Sequence, residues 1–207
     1  MQHLGAAVQV QYVYLGQSSG NIADWIRGLP LIGPPVGRFL VRKAQRTHDK
    51  KTRSPDAATG SVMFLLSLWR AYKFRRMLAL CRRGIGVITD RYPQAEVPGF
   101  YFDGTGLNPV RAGTWLVRKL AALEHRLYQW MAKHVPTLVI RLNIDADTAH
   151  ARKPDHKLAM LKEKLAVIPT LHFNHADILE LDGRAPYPQV LDMALQAARV
   201  ALISRRC

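Results

Sequence analysis

Apolar positions along the chain fall into two rhythms. Alternating β-branched and aromatic residues over 8–15 predict a strand that stops at Gly16-Gln17-Ser18-Ser19-Gly20. Asn21 caps a short helix through Ile22, Ala23, Trp25 and Ile26, ahead of a Gly/Pro cluster over 28–37. From Ser61, read as a cap, to about residue 83 the spacing becomes helical. Met63, Leu66, Trp69 or Arg70, Phe74, Met77 and Leu80 or Cys81 share a face, and Gly84 stops the helix. A strand over 85–89 follows and delivers Asp90 and Arg91 to its carboxyl end. Beyond a Pro/Gly-rich loop over 93–113, Thr114 caps a helix over 115–134 with Leu116, Leu120, Leu123, Leu127 and Trp130 or Met131 on one side. A strand over 137–143 comes next. Asp145 or Asp147 then opens a short helix broken by Pro154, and Asp155 opens another to about 167. A last strand over 178–181 and a helix over 186–204 complete the pattern.

Strands separated by helices predict crossover units, hence an α/β fold with a mainly parallel sheet. Four strands is thin for such a fold. There is no internal repeat, and 207 residues that are 48% hydrophobic suffice for one domain with a core. The run over 38–55 carries Arg38, Arg42, Lys43, Arg46, Lys50, Lys51 and Arg53 with few apolar residues, which predicts an exposed insertion.

Charge narrows the partners. Thirty Lys+Arg against fifteen Asp+Glu give a net charge of +15, which favours polyanions: nucleotides, nucleic acid, acidic glycans or an anionic membrane surface. Only Cys81 and Cys207 occur, so neither a disulfide framework nor a cysteine zinc site is indicated, and a reducing cytoplasm fits. The longest apolar run, 62–69, is far below the roughly 18 residues of a membrane span, and no signal peptide is read at the start.

The candidate chemistry sits at Asp90-Arg91. Ligands of open α/β sheets bind beyond the carboxyl ends of the strands. An acid followed by an arginine there suits phosphoryl transfer, one charge for a metal or hydroxyl and the other for phosphate oxygens. No Gly-x-x-x-x-Gly-Lys-Ser/Thr loop occurs in the chain. The eight histidines show no metal-ligand spacing, and no Gly-x-Ser-x-Gly elbow is present.

Plainer readings stand beside these. Asp90-Arg91 can be a surface ion pair, and Tyr92 a packing residue. Arg152-Lys153 can offset a helix dipole. Arg141 can sit at a solvent-facing strand end, and Asp103-Gly104 reads as a turn. Trp25, Trp69, Trp115 and Trp130 read as core residues. The basic run is a solvated loop, a funnel for a phosphorylated substrate or a nucleic-acid contact; the last is least favoured because only Phe39 interleaves the charges.

Several segments together resemble a known family. They are the strand ending Asp90-Arg91-Tyr92-Pro93, the strand Arg141-Leu142-Asn143-Ile144-Asp145, the run Ala151-Arg152-Lys153-Pro154-Asp155-His156 and the turn Leu181-Asp182-Gly183. In this order they resemble thymidylate kinase-like P-loop kinases over roughly 8–202. The resemblance implies a three-layer P-loop kinase-like fold, a single domain over 1–207 with the basic insertion at about 33–60, and a lid at about 146–170. It implies ATP and Mg2+, with phosphoryl transfer to a nucleoside monophosphate or related phosphorylated acceptor. Asp90 would orient the acceptor or the magnesium hydration shell, and Arg91 would bridge donor and acceptor phosphates. Arg152 and Lys153 would belong to the lid, while Asp182, Gly183 and Arg184 would edge the base. Gly16 and Gln17 would face the acceptor, with Tyr92 beside them.

Two departures qualify this. Such kinases carry the phosphate loop ahead of the strand matching 8–15, on a central strand between those at Val87 and Leu138. The expectation is therefore a fold lacking its first strand and P-loop, inactive as given. Second, Gly16-Gln17-Ser18-Ser19-Gly20 replaces the Arg-Glu-Pro-Gly type sequence that holds thymidylate. The alternative from another class is a non-catalytic basic phosphate- or polyanion-binding protein derived from a kinase. A homodimer is compatible with either.

Overall fold

Strand β1 (Val10–Tyr14) runs parallel to β2 (Gly86–Asp90), which is possible only because a long crossover helix, α1 (Ala57–Arg82), lies between them in sequence. The structure, a computed structural model, describes residues 9–16, 57–107, 114–152, 154 and 158–204. A 3-10 turn at Phe100–Phe102 leads to α2 (Trp115–Ala132) and β3 (Val139–Asn143). Helices α3 (Ala146–Arg152) and α4 (Leu158–Val167) and a 3-10 turn at Ile168–Thr170 then bring the chain to β4 (Ile178–Asp182) and α5 (Tyr187–Ser204). Lys153, Asp155 and His156, and with them part of the expected lid, lie outside the described residues, as do Gln17 and the whole basic run over 38–55.

The expected α/β alternation is present, but the sheet is divided. Among the described residues β1 pairs only with β2, and β3 only with β4, both in parallel; Tyr12 faces Ile88 and Leu142 faces Leu181 across the two ladders. Helix α5 packs on β4, and Leu202 near its end reaches β2: a Cβ on Gly86 would lie 2.8 Å from the Leu202 Cδ2.

The core is built around Phe74. It is fully buried with Leu15, Ala71, Met77, Tyr128 and Met131, and half-buried Val13 and Val87 close over this cluster from one face of the β1–β2 ladder. Tyr92, Trp130 and His134 each meet the Phe74 ring edge-on with centroids 5.6 Å away. The opposite face of the ladder is uncovered: Val10, Tyr12 and Ile88 are exposed, as are Ile140 and Leu142 on β3. The strand end at Asp90 thus has one packed face and one open one, not the fully buried environment its apolar run suggests.

Several details depart from expectation. Helix α1 begins at Ala57, inside the range assigned to the basic insertion, and Ser61 is not a cap; its hydroxyl donates to the Ala57 carbonyl 2.9 Å away within the first turns. Its end follows the sequence closely. Gly84 adopts φ 74°, its N–H donates to the Cys81 carbonyl, and the Ile85 N–H donates to that of Leu80, a glycine-terminated helix end. Thr114 does cap α2, accepting from the Val117 N–H.

The buried stripe of α2 is one residue away from the leucine stripe. It consists of Val117, Ala121, Glu124, Tyr128 and Met131, while Leu123 is exposed. Two polar side chains, Glu124 and Tyr128, find partners inside and turn the helix toward them. Trp115 is exposed, not core. Arg141 is buried rather than solvent-facing. It donates to Glu180 at 2.8 Å and to the carbonyls of Pro169 and Leu171, holding the 3-10 turn under the β3–β4 ladder.

Candidate functional site

Parallel pairing puts the carboxyl ends of β1 and β2 at one edge, with Tyr14 opposite Asp90. The next residues carry the chemistry. Arg91 adopts the left-handed conformation, φ 53°, and its aliphatic stem lies against Gly16: a Cβ there would be 2.6 Å from the Arg91 Cδ and 2.3 Å from the Tyr14 hydroxyl. Glycine at 16 is what permits this approach. Lys73 of α1 donates to the Gly16 carbonyl at 2.5 Å and sits 5.0 Å from the Tyr14 ring centroid. Burial, reinforced by Arg70 and opposed by Asp90, lowers Lys73 to about 8. Tyr12 hydrogen bonds Asp90; desolvation and then that carboxylate raise its phenol.

Behind this edge, the buried guanidinium of Arg70 joins four groups. It donates to the Asp103 carboxylate at 3.1 Å, to the Asp103 carbonyl and the Tyr128 hydroxyl at 3.3 Å each, and to the carbonyl of Arg91. Asp103 also lies 3.9 Å from the Arg91 guanidinium. It is at a turn, as expected, in a left-handed conformation with φ 61°. Burial raises its carboxyl, with Arg70 and then Arg91 pulling the other way. The left-handed Arg91 is thus held by its carbonyl, while its side chain points outward, about half exposed.

Beneath this network Glu124 accepts from the Ser67 hydroxyl at 2.5 Å and from the Leu107 and Gly106 N–H groups at 2.7 and 3.3 Å. Burial raises its carboxyl despite these bonds. A folded value above the unfolded one stabilises the fold at low pH, and this contribution is lost as pH rises through the folded value. We expect urea unfolding at a series of pH values to show this loss above the ordinary glutamate range, and Glu124→Gln to flatten it.

The second strand edge is built alike. Asn143 faces Asp182 across β3–β4, and a hollow of about 480 Å³ opens there between Asn143, Asp145, Glu180, Asp182 and Arg184. Asp182 accepts from the Arg184 backbone N–H at 2.9 Å and from its side chain at 3.1 and 3.3 Å; these bonds lower the aspartate. Asp145 caps α3 through Thr148, at 2.8 Å to both its N–H and hydroxyl, and is lowered as a result. Arg152, at the end of α3, donates to the Gly183 carbonyl at 2.8 Å. A Cβ on Gly183 would lie 3.0 Å from the Asn143 carbonyl oxygen.

The residues singled out in the sequence therefore form two groups. Gly16, Asp90 and Arg91 meet at the β1–β2 edge; Arg152, Asp182, Gly183 and Arg184 meet at the β3–β4 edge. Tyr92 joins neither. Its hydroxyl donates to the His134 carbonyl, and its ring packs on Phe74 beside a hollow of about 570 Å³ that reaches Lys133 and His175. Gln17 and Lys153 lie outside the described residues. Sequence reasoning missed Lys73 and Asp103 as site residues, and Arg70 beyond its place on the helical face. The signal for Arg70 was its place three residues after Ser67 and four before Phe74, both buried positions of α1.

Fold and site together define a basic α/β protein whose parallel strand ends offer cationic groups, an arrangement able to hold phosphate. The chain is 52% identical over 202 residues to the uncharacterized ATP-binding protein YghS of Escherichia coli (strain K12), spanning 98% of this chain and 85% of YghS. It is 43% identical over 199 residues to the uncharacterized ATP-binding protein YghR of the same strain, spanning 96% of this chain and 79% of YghR. The chain belongs to the family of these two proteins. No family model matches it, and no solved structure matches it. Among the described residues, no helix is long and apolar enough to cross a membrane.

Proposed function

We propose that the chain is a single thymidylate kinase-like domain of the cytoplasm, and that this domain together with a phosphate loop transfers a phosphoryl group from ATP to a nucleoside monophosphate or related phosphorylated acceptor. One observation carries this reading. Asp90 and Arg91, next to the glycine that lets the Arg91 stem approach the backbone, stand at the carboxyl edge of a parallel strand pair in a relative of ATP-binding proteins. Bound ATP supplies the γ-phosphoryl group, and Mg2+ offsets its charge. Magnesium in such sites is held by one or two carboxylates plus phosphate oxygens, a demand that the single carboxylate of Asp90 fits.

Each group then has a task. Arg91 spans acceptor and donor phosphates, and Asp90 orients the acceptor. Gly16, with Gln17, faces the acceptor, and Tyr92 anchors the loop behind it. Arg152 and Lys153 close over the donor as part of a lid at about 146–170, excluding water. Asp182, Gly183 and Arg184 border the base. The reading requires a glycine-rich phosphate loop, absent from these 207 residues, on a strand that pairs with β2 on one side and β3 on the other. Such a strand and the helix after it cover Tyr12, Ile88, Ile140 and Leu142, whose exposure is otherwise costly at roughly 25 cal/mol per Å² of apolar surface.

The test begins with the DNA upstream of the first codon, where an in-frame Gly-Lys-Ser/Thr loop is expected. The chain extended to include it should transfer radiolabelled phosphate from ATP to a nucleoside monophosphate panel. An in-frame stop just before Met1, together with salt-sensitive binding of polyanions unaffected by ATP, favours the second reading, a non-catalytic basic polyanion binder. The net charge of +15 speaks for that reading.

A further inference from the structure

Lys73 has no part in the reading above, yet it reaches the same point as Arg91. The two approach Gly16 from different elements: Lys73 from α1, onto the Gly16 carbonyl, and Arg91 from past the end of β2, against the Gly16 Cα. An ammonium has three donors. One is used on Gly16, and the Tyr14 ring lies 5.0 Å from the nitrogen, so donors are left for a ligand. The charged and titratable groups that face it are Arg70 on its own helix, Tyr14 on β1, and Asp90 at the end of β2 with Arg91 beyond it. Both the Arg70 guanidinium and the Arg91 backbone are tied to the network behind the edge. Lys73 therefore keeps bonding capacity to spare at this point.

We propose that Lys73 is a second cationic ligand for the acceptor phosphate, closing with Arg91 on an anion seated at Gly16. This rests on the kinase reading of the same edge and names the group that completes its acceptor grip. The lysine value of about 8 adds a consequence. A bound anion favours the ammonium, so binding takes up a proton and weakens as pH rises.

The experiment uses sulfate, a tetrahedral anion that does not itself titrate near neutrality, added to the full chain at low ionic strength and followed by calorimetry. Wild-type affinity should fall about tenfold between about pH 7 and pH 9, the span expected for a free-state value of about 8. Lys73→Arg should keep the affinity found near pH 7 and lose the slope. Lys73→Met should bind several-fold more weakly near pH 7, also without the slope; Lys73→Gln serves in its place if circular dichroism shows that the first variant is not folded. A wild-type slope in Lys73→Arg, or wild-type affinity in the uncharged variant, overturns the proposal. If Arg91→Ala loses sulfate and the uncharged Lys73 variant does not, only Lys73 is removed from the site. Loss in the Lys73 variant with none in Arg91→Ala overturns the shared grip. No sulfate binding by the wild type, or binding untouched by either change, overturns the acceptor-edge reading itself.

Discussion

Arg70→Met should lower the free energy of unfolding by about 3–5 kcal/mol, the range for removing one partner of a buried ion pair and leaving the other uncompensated. The net stability of a domain is only about 5–15 kcal/mol, so the variant would sit near the edge of folding. The size follows from what Arg70 satisfies: the Asp103 carboxylate, the carbonyls of Asp103 and Arg91, and the Tyr128 hydroxyl. Methionine fills much of the volume and replaces none of these bonds. Asp103, already raised by burial and now without its main counter-charge, should respond by holding a proton at higher pH. With the folded value further above the unfolded one, the penalty should shrink as pH falls through the folded value. Urea unfolding of wild type and Arg70→Met near pH 7 and near pH 5 reads this directly. Adding Asp103→Asn to Arg70→Met should recover part of the loss near pH 7, because the stranded charge is then gone. Equal penalties at both pH values, or no recovery, would show that the loss comes from packing alone.

The element order was legible because it is written in apolar spacing and in breakers. Gly84, Thr114 and the strand end at Asp90 all fall where the sequence puts them. Helix faces were less legible. Leucines surround α2, so periodicity alone could not choose between the Leu116–Leu120–Leu123 stripe and the adjacent one. Glu124 decides it, since a carboxylate that accepts from Ser67, Gly106 and Leu107 must point inward. The same blindness hid Arg70, Lys73, Asp103 and Arg141. A charged residue reads as solvent-facing until its partner is known, and each of these has a partner far away in sequence, such as Asp103 for Arg70 and Glu180 for Arg141. The four-strand count, thin for the fold class, was the sequence's own sign of what the structure displays as two separate ladders.

Those two ladders also bear on how the candidate groups act together. The Arg91 edge lies on the first ladder and the Arg152–Asp182–Arg184 edge on the second, each at the carboxyl ends of its strands. On the kinase reading proposed above, a strand paired between them would align both edges along one rim, the place where open α/β sheets bind ligands. Helix α5, seated on β4 and touching Gly86 of β2 through Leu202, already bridges the two.

In the chain extended to carry the phosphate loop, Arg91→Ala should lower the turnover number for phosphoryl transfer by about a thousandfold or more, the scale on which an arginine stabilises the charge spread over a transferring phosphoryl group. That corresponds to about 4 kcal/mol of transition-state stabilisation. The loss should not come through folding. Alanine keeps the same left-handed backbone cost as arginine, and Arg70 grips the carbonyl of residue 91, which the substitution leaves in place. The affinity for ATP should fall far less than turnover, because Arg91 is one contact to the donor among those of the phosphate loop and the lid in the proposed site. Arg91→Lys should restore only part of the rate, since it returns a charge without the planar fork that bridges two phosphates. Steady-state kinetics with the acceptor varied, beside an ATP binding measurement, separates these outcomes. Unchanged turnover in a folded Arg91→Ala protein would reduce Asp90 and Arg91 to charged residues at a strand end, with Asp103 as the arginine's surface partner and no role in transfer.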